Sequence, residues 1–255
     1  MIEFDNVHLG YGKKPVLTSL NFSIENADFF GIVGPNGSGK TTLLKAILGL
    51  LRPLKGRITF SNNEQRHERR IGYVPQHAFV DELFPITVLE MVIMGRYGRI
   101  GLFKRPKRKD YEIAKEMLKN VGIENLAYKN YRELSGGQKQ RTLIARAMVG
   151  KPSILLLDEP VEGMDIHGEW AIMKLVKDLH DKYPLTVILV SHDLNVVANY
   201  VKTLAIIDKG TLSLGPVDTI LTEEMMLKVY GVRVKMTNIS GQKVITSRLN
   251  GKFSH

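Results

Sequence analysis

At 255 residues, 44% of them apolar and 24% charged, the chain has room for one large domain or two small ones and enough apolar side chain to bury a core, which excludes a disordered protein. It contains no cysteine, which excludes disulfides, thiolate metal sites and thiol nucleophiles. The net charge of +10 is local: residues 96–109 hold seven basic residues and 231–255 five, neither stretch holds an acid, and the remainder carries −2, so nucleic-acid binding through a basic main face is not expected.

The start, Met1-Ile2-Glu3-Phe4-Asp5, lacks the basic-then-apolar order of a signal peptide, and no run long enough to span a bilayer follows, so the chain is expected to stay in the cytosol. Ile2, Phe4, Val7 and Leu9, then Leu20, Phe22 and Ile24, alternate with polar residues around the turn Gly10-Tyr11-Gly12-Lys13-Lys14-Pro15 and predict antiparallel strands. Phe29-Phe30-Gly31-Ile32-Val33 reads as a buried strand, and residues 42–51 continue with helical spacing. Between them Gly34-Pro35-Asn36-Gly37-Ser38-Gly39-Lys40-Thr41 matches G-x-x-x-x-G-K-[ST]. Such a backbone curls around phosphates with its N–H groups inward, Lys40 supplying a charge and Thr41 a magnesium ligand, so a nucleoside triphosphate is implied.

Residues 56–60 add a strand, and 71–75 an edge strand with Gln76 just beyond its end, either reaching magnesium or water or sitting as a solvated turn residue. Residues 87–98, 110–121 and 139–148 repeat apolar side chains at three- and four-residue spacing and predict helices. Leu134-Ser135-Gly136-Gly137-Gln138 precedes the last of these, with Ser135 as N-cap, and forms a second anion site. One chain does not need two sites for one γ-phosphate, so this loop is read as serving the nucleotide of a partner chain, which implies a dimer. The continuous apolar runs 154–157 and 186–190 predict central parallel strands, with a helix at 168–183 between them and a hairpin at 204–214 after them.

Asp158 and Glu159 end the run 154–157, at the carboxyl end of a strand, where ligand chemistry sits in an open α/β sheet. Asp158 is expected to hold magnesium through water, and Glu159 to orient and deprotonate the attacking water. His192, in Ser191-His192-Asp193, follows the next strand at the same rim, within reach of a γ-phosphate. Tyr11 either stacks on an adenine ring or packs on Pro15, and Trp170, at helical spacing, reads as packing.

Together, residues 34–42, Gln76, 134–138, 154–159 and His192 resemble the ATP-binding subunit of an ATP-binding cassette (ABC) transporter over residues 1–230. The resemblance implies an α/β fold: a P-loop NTPase (RecA-like) core with an antiparallel β subdomain and an inserted α-helical subdomain at about 77–150, leaving 231–255 as a basic C-terminal tail. It implies ATP and Mg2+, held by Gly34, Asn36, Gly37, Ser38, Gly39, Lys40, Thr41, Thr42, Gln76 and Asp158, with Tyr11 on the adenine and Ser135 and Gly137 in the partner's site. Lys40, Glu159 and His192 take the catalytic roles, Thr41, Gln76 and Asp158 the magnesium roles, and Asp165 a loop that crosses the dimer. Before that aspartate the chain departs from the family's usual Thr-Ser-Ala-Leu run, reading Val161-Glu162-Gly163-Met164.

The partners implied are an integral membrane permease, a second copy arranged head to tail, and indirectly an extracytoplasmic solute-binding protein, at the cytoplasmic face of the cell membrane. Residues 84–88 and 94–98 resemble importers of transition metals, manganese or zinc, and more loosely of iron chelates, driven by ATP-dependent dimer closure. Pro85, Val88, Met91, Val92 and Met94 are expected to form the floor for a permease helix, and residues 96–109 either a solvated loop or a surface near anionic lipid. A soluble ABC-type ATPase of DNA repair or translation is the alternative; the 58 residues between Gln76 and Ser135 lack coiled-coil heptads, and only one cassette is present.

Overall fold

A computed structural model describes residues 1–60, 71–76, 85–101, 103–239 and 242–247. The chain begins with strands β1 (Ile2–Tyr11), β2 (Lys14–Ile24) and β3 (Phe29–Val33), helix α1 (Lys40–Ile47), and strands β4 (Lys55–Phe60) and β5 (Ile71–Val74). Helices α2 (Val88–Met94), α3 (Tyr97–Ile100), α4 (Arg108–Asn120) and α5 (Gly136–Met148) follow, then β6 (Ile154–Asp158), α6 (Ile166–Lys182) and β7 (Thr186–Val190). The remainder comprises α7 (Leu194–Tyr200), β8 (Thr203–Asp208), β9 (Thr211–Pro216), α8 (Val217–Ile220), α9 (Glu223–Tyr230), β10 (Val234–Ile239) and β11 (Gln242–Ser247). Two compact units result, Met1–His67 with Ile188–His255, and Glu68–Val187. The second unit is wider than the helical stretch 77–150 expected from the sequence, because β6 and α6 belong to it; residues 77–84 lie outside the described residues.

In the first unit, β2-β1-β4 form an antiparallel sheet whose alternation places Ile2, Phe4, Val7 and Leu9 inside. Ile2 faces Ile24 and Phe4 faces Phe22 across the β1–β2 pair, the two Phe rings stacking at 4.3 Å. The other strands of this unit run in the order β7-β3-β8-β9, with β3 and β8 parallel. All five residues of β3 are buried, which is why it reads as an unbroken apolar run rather than an alternating one. The β8–β9 hairpin turns at Lys209 and Gly210 with φ of 44° and 82°, the twin positive angles of the turn that matches strand twist. Residues 231–255 were expected to be a basic tail, yet Val234–Ile239 and Gln242–Ser247 pair as the antiparallel strands β10 and β11; 240–241 and 248–255 lie outside the described residues.

In the second unit β5 and β6 are parallel neighbours, Val74 opposite Leu157. The helix expected over 87–98 divides into α2 and α3. Gly95 ends α2 where a Cβ would come 1.9 Å from the Arg146 carbonyl of α5, so only glycine allows this approach of chain to chain. Helix α2 opens with a reciprocal cap: the Glu90 N–H donates to Thr87 Oγ1 at 3.3 Å and the Thr87 N–H to Glu90 Oε2 at 2.8 Å. The helix expected from 139 begins at Gly136, and the one expected from 168 begins at Ile166 under the cap of Asp165, whose Oδ1 accepts the Gly168 N–H at 2.7 Å.

The basic stretch 96–109 is not one surface. Arg96 Nε pairs with Asp110 Oδ1 at 2.7 Å with both side chains nearly covered, and Arg99 Nε donates to the Gly150 carbonyl at 2.7 Å, so these two cations tie α3 to α4 and to the end of α5. Arg99, Lys104, Arg105, Lys107, Arg108 and Lys109 are exposed, and Arg96 is the least exposed of the seven. Asp110 also accepts the Lys107 N–H at 2.8 Å, and that bond first, then Arg96, holds its carboxyl below the usual aspartate range. A depressed carboxylate stabilises the fold above the ordinary aspartate pKa and loses that contribution as pH falls through its own lowered value. Asp110→Ala is therefore expected to cost about 2 kcal/mol, through the lost cap and the covered guanidinium left behind. Urea unfolding of the full chain at neutral pH checks this, and the gap between variant and parent should narrow in acid.

Candidate functional site

In the first unit, the glycine-rich loop leaves β3 and enters α1 directly. A Cβ on Gly34 would sit 2.4 Å from the Ile207 carbonyl, and one on Gly39, at φ 114°, 2.9 Å from Leu17, so the loop's course requires glycine at both positions. Gly39 caps α1 without a side-chain bond, and no acidic residue occupies the first turn, leaving the helix's leading N–H groups to an anion. Lys40 Nζ lies at the loop, donating to the carbonyls of Gly34 at 2.7 Å and Pro35 at 3.2 Å. Ser38 Oγ is buried and makes no hydrogen bond, an expensive state for a hydroxyl unless a ligand atom completes it. Asn36, Gly37 and Thr41 are exposed, whereas Thr42 is buried behind the loop.

Tyr11 ends β1 half-exposed, and its ring lies 5.6 Å from the Lys45 ammonium of α1. The neighbouring Thr42 hydroxyl draws the phenol below its usual range; burial opposes this, and Lys45 adds to the lowering. The ring is thus set beside the helix of the phosphate loop. His192 is exposed and held on both sides: the Ser191 N–H donates to the Ile32 carbonyl of β3 at 3.2 Å, and Asp193 Oδ1 accepts the Asn195 N–H at 2.8 Å as the cap of α7. The strand that feeds the phosphate loop therefore also anchors the histidine's loop.

In the second unit, β5 and β6 are parallel neighbours, so Gln76 and the pair Asp158–Glu159 leave the same end of adjacent strands. Tyr73 Oη lies 3.4 Å from Asp158 Oδ2, and burial, then the carboxylate's charge, raises the phenol to about 12. Glu159 has φ of 49°, a left-handed conformation that costs a non-glycine residue energy and that recurs at functional sites. Gln76 Nε2 donates to Glu162 Oε2 at 2.7 Å. Glu162 was missed as a site residue by sequence reasoning. It lies in the very run that departs from the family pattern, 86 residues from its partner, and no local signal announces the pairing. Ser135 and Gly137 stand at the N-terminus of α5 in a reciprocal cap: the Ser135 N–H donates to Gln138 Oε1 at 3.1 Å and the Gln138 N–H to Ser135 Oγ at 3.4 Å. A Cβ on Gly136 or Gly137 would meet nothing within 4 Å, so this helix end is open to an approaching group.

The expected permease floor is corrected by the packing. Val88, Met91 and Val92 are buried to 1% exposure or less, on the face of α2 that packs against α4 and α5, and only Pro85 and Met94 reach the surface. The helical period decided this: one apolar stripe on a short helix is consumed by its own unit.

Comparison with known proteins agrees with this arrangement. Residues 17–162 match the model of the family described as ABC transporter. The manganese transport system ATP-binding protein MntB of Bacillus subtilis (strain 168) is 43% identical over 234 residues, 91% of this chain and 93% of that one. A solved ABC transporter of the metal-chelate type, in an inward-facing conformation, superposes with a TM-score of 0.87 at 29% identity over 98% of both chains. A dimeric ATP-binding cassette in a post-hydrolysis state with ADP and Pi superposes at 0.71, 29% identical over 85% of this chain and 99% of that one. The chain belongs to the ABC transporter family, as one of its ATP-hydrolysing cassettes.

Proposed function

We propose that the chain energises a membrane importer of a transition-metal ion or its chelate, with ATP-driven closure of a head-to-tail dimer as the power step. The observation that carries the reading is the presence of two open helix N-termini, that of α1 behind Gly39 and that of α5 behind Ser135, where one chain's own γ-phosphate calls for one. Manganese in the name of the Bacillus subtilis relative and the metal-chelate type of the solved transporter support the substrate class.

Gly34, Asn36, Gly37, Ser38 and Gly39 wrap the phosphates in this reading, and Lys40 neutralises their charge. Thr42 backs the loop from below, and Tyr11 takes the adenine. The donors assigned to Mg2+ are oxygens of Thr41, Gln76 and Asp158, the hard set this ion prefers, and the buried unbonded Ser38 hydroxyl fits a phosphate oxygen. When bound, Mg2+ supplies neutralisation of the charge that develops on the phosphates. Glu159 takes the proton of the attacking water, and His192 holds the γ-phosphate by a hydrogen bond. Ser135 and Gly137 complete the partner's site, and Asp165 begins the helix beside the crossing loop.

No helix of the described residues is long and apolar enough to cross a membrane. The transport path is assigned to a permease, and the chain to the membrane's cytoplasmic face, with a solute-binding protein delivering cargo from outside. Affinity purification of the full chain from membranes tests the reading. A multi-span membrane protein should copurify with it, and loss of the chain should abolish uptake of the metal. Copurification of nucleic acid or ribosomes in its place overturns the proposal.

A further inference from the structure

The hairpin β10–β11 is held to α7 by a contact made of two asparagines. Asn199 Nδ2 donates to the Lys243 carbonyl at 2.8 Å while Asn199 Oδ1 accepts the Lys243 N–H at 2.9 Å, so one carboxamide satisfies both backbone groups of a strand residue. Its second Nδ2 proton goes to the Asn195 carbonyl at 2.8 Å, one turn back on α7. Asn195 Oδ1 in turn accepts the Ile245 N–H at 2.8 Å. Lys243 and Ile245 lie two apart on β11 and present their N–H groups along the same edge, and Asn195 and Asn199 lie four apart on α7. A helix rises about 6 Å in four residues and a strand about 6.7 Å in two, so the repeats match. The asparagines occupy the edge of β11 as a third strand would.

Helix α7 starts immediately after the Ser191-His192-Asp193 link. Asp193 caps it and accepts from Asn195 and Val196, and the Asp193 N–H donates to Ser191 Oγ at 3.0 Å, so the histidine sits in a short connection between β7 and this helix. The inner face of α7 is fixed by buried Val196, Val197 and Ala198; its outer face is fixed by the hairpin. A second tie, Lys243 to Asp218, joins β11 to α8.

We propose that Asn195 and Asn199 are positioning residues for ATP hydrolysis: by binding the edge of β11 they clamp α7 from outside and hold the loop that carries His192. This rests on the role of His192 given above. The chemistry favours asparagine, which alone among short side chains offers two donors and an acceptor in one plane. Asn199→Asp keeps the acceptor and loses both donors, and Asn199→Leu keeps the shape and loses all three bonds, so the two form a graded series.

The experiment measures ATP turnover of the full chain, hydrogen exchange of α7 and β11 amides, and thermal midpoint, with His192→Ala as control. Asn199→Leu should raise exchange at Lys243 and Ile245 at least tenfold and lower kcat three- to tenfold, with KM for ATP within twofold and the midpoint nearly unmoved; Asn199→Asp should fall between. A merely structural role would lower the midpoint and leave kcat of the folded fraction intact. If exchange rises while kcat stays within twofold of the parent, or exchange does not rise at all, the clamp is overturned. The Asn195→Ala plus Asn199→Leu double variant, which removes the hydrogen bonds of both asparagines to the β11 edge, should show the same changes to a larger extent and is judged by the same two criteria. His192→Ala with near-parental kcat would instead sink the histidine's role.

Discussion

Glu159→Gln is expected to abolish turnover while leaving ATP binding intact. Glutamine keeps the size and the backbone demands of the native residue at φ 49°, so the strand end should not rearrange, but it cannot take a proton from water. The loss should be at least about a hundredfold in kcat, the scale of a missing general base. Lys40→Ala should behave in the opposite way. It removes the ammonium that lies at the mouth of the phosphate loop, 2.7 Å from the Gly34 carbonyl, and its first consequence is weaker nucleotide binding. Equilibrium binding of a fluorescent ATP analogue and steady-state phosphate release separate the two. A Glu159→Gln chain that hydrolyses ATP near the parental rate would remove Glu159 from the mechanism.

Two chains that are each inactive should restore activity when paired. If α5 of one copy completes the site of the other, then Lys40→Ala and Ser135→Arg strike the same site of a heterodimer and leave the second one whole. Arginine at 135 fills an open helix end where a Cβ added to either following glycine would meet nothing within 4 Å, and Ser135 itself is exposed, so the variant blocks approach without disturbing the core. Purified with two tags, the heterodimer should regain about half the parental rate if the sites act independently, whereas either homodimer should be near zero. The pairing of the parent with a chain carrying both substitutions has both sites impaired and should remain inactive. A silent heterodimer, with binding of nucleotide demonstrated, would mean either that Ser135 does not act across the dimer or that both sites must fire together; one active site in a covalently linked parent–Glu159→Gln dimer decides which.

Much of the fold was legible because the signals are local. The phosphate loop announces itself in eight consecutive residues: its glycines are demanded by contacts with Ile207 and Leu17, and its lysine folds back on the loop's own carbonyls. The Ser135 cap could be read for the same reason, since both of its bonds close within three residues. The strands at 154–158 and 186–190 followed from unbroken apolar runs, because a strand covered on both faces leaves no position for a polar side chain. Helix starts drifted by two or three residues, at Gly136 and Ile166, because the capping residue sets the start and the apolar period does not.

Tertiary structure alone decided what each side chain meets. Pro85, Val88, Met91, Val92 and Met94 suggested an apolar surface for a partner, but α2 had its own unit to pack against, and Val88, Met91 and Val92 turned inward. Charge counting made residues 96–109 one basic stretch, yet Arg96 and Arg99 are spent on Asp110 and on the Gly150 carbonyl just past α5, 14 and 51 residues away. Gln76 meets Glu162 and Asn199 meets Lys243 across 86 and 44 residues. A sequence by itself determines periodicity, caps and turns, since these are settled by groups a few bonds apart; the long-range partners are chosen only when the chain closes large loops, and nothing in the spacing of the residues records that choice.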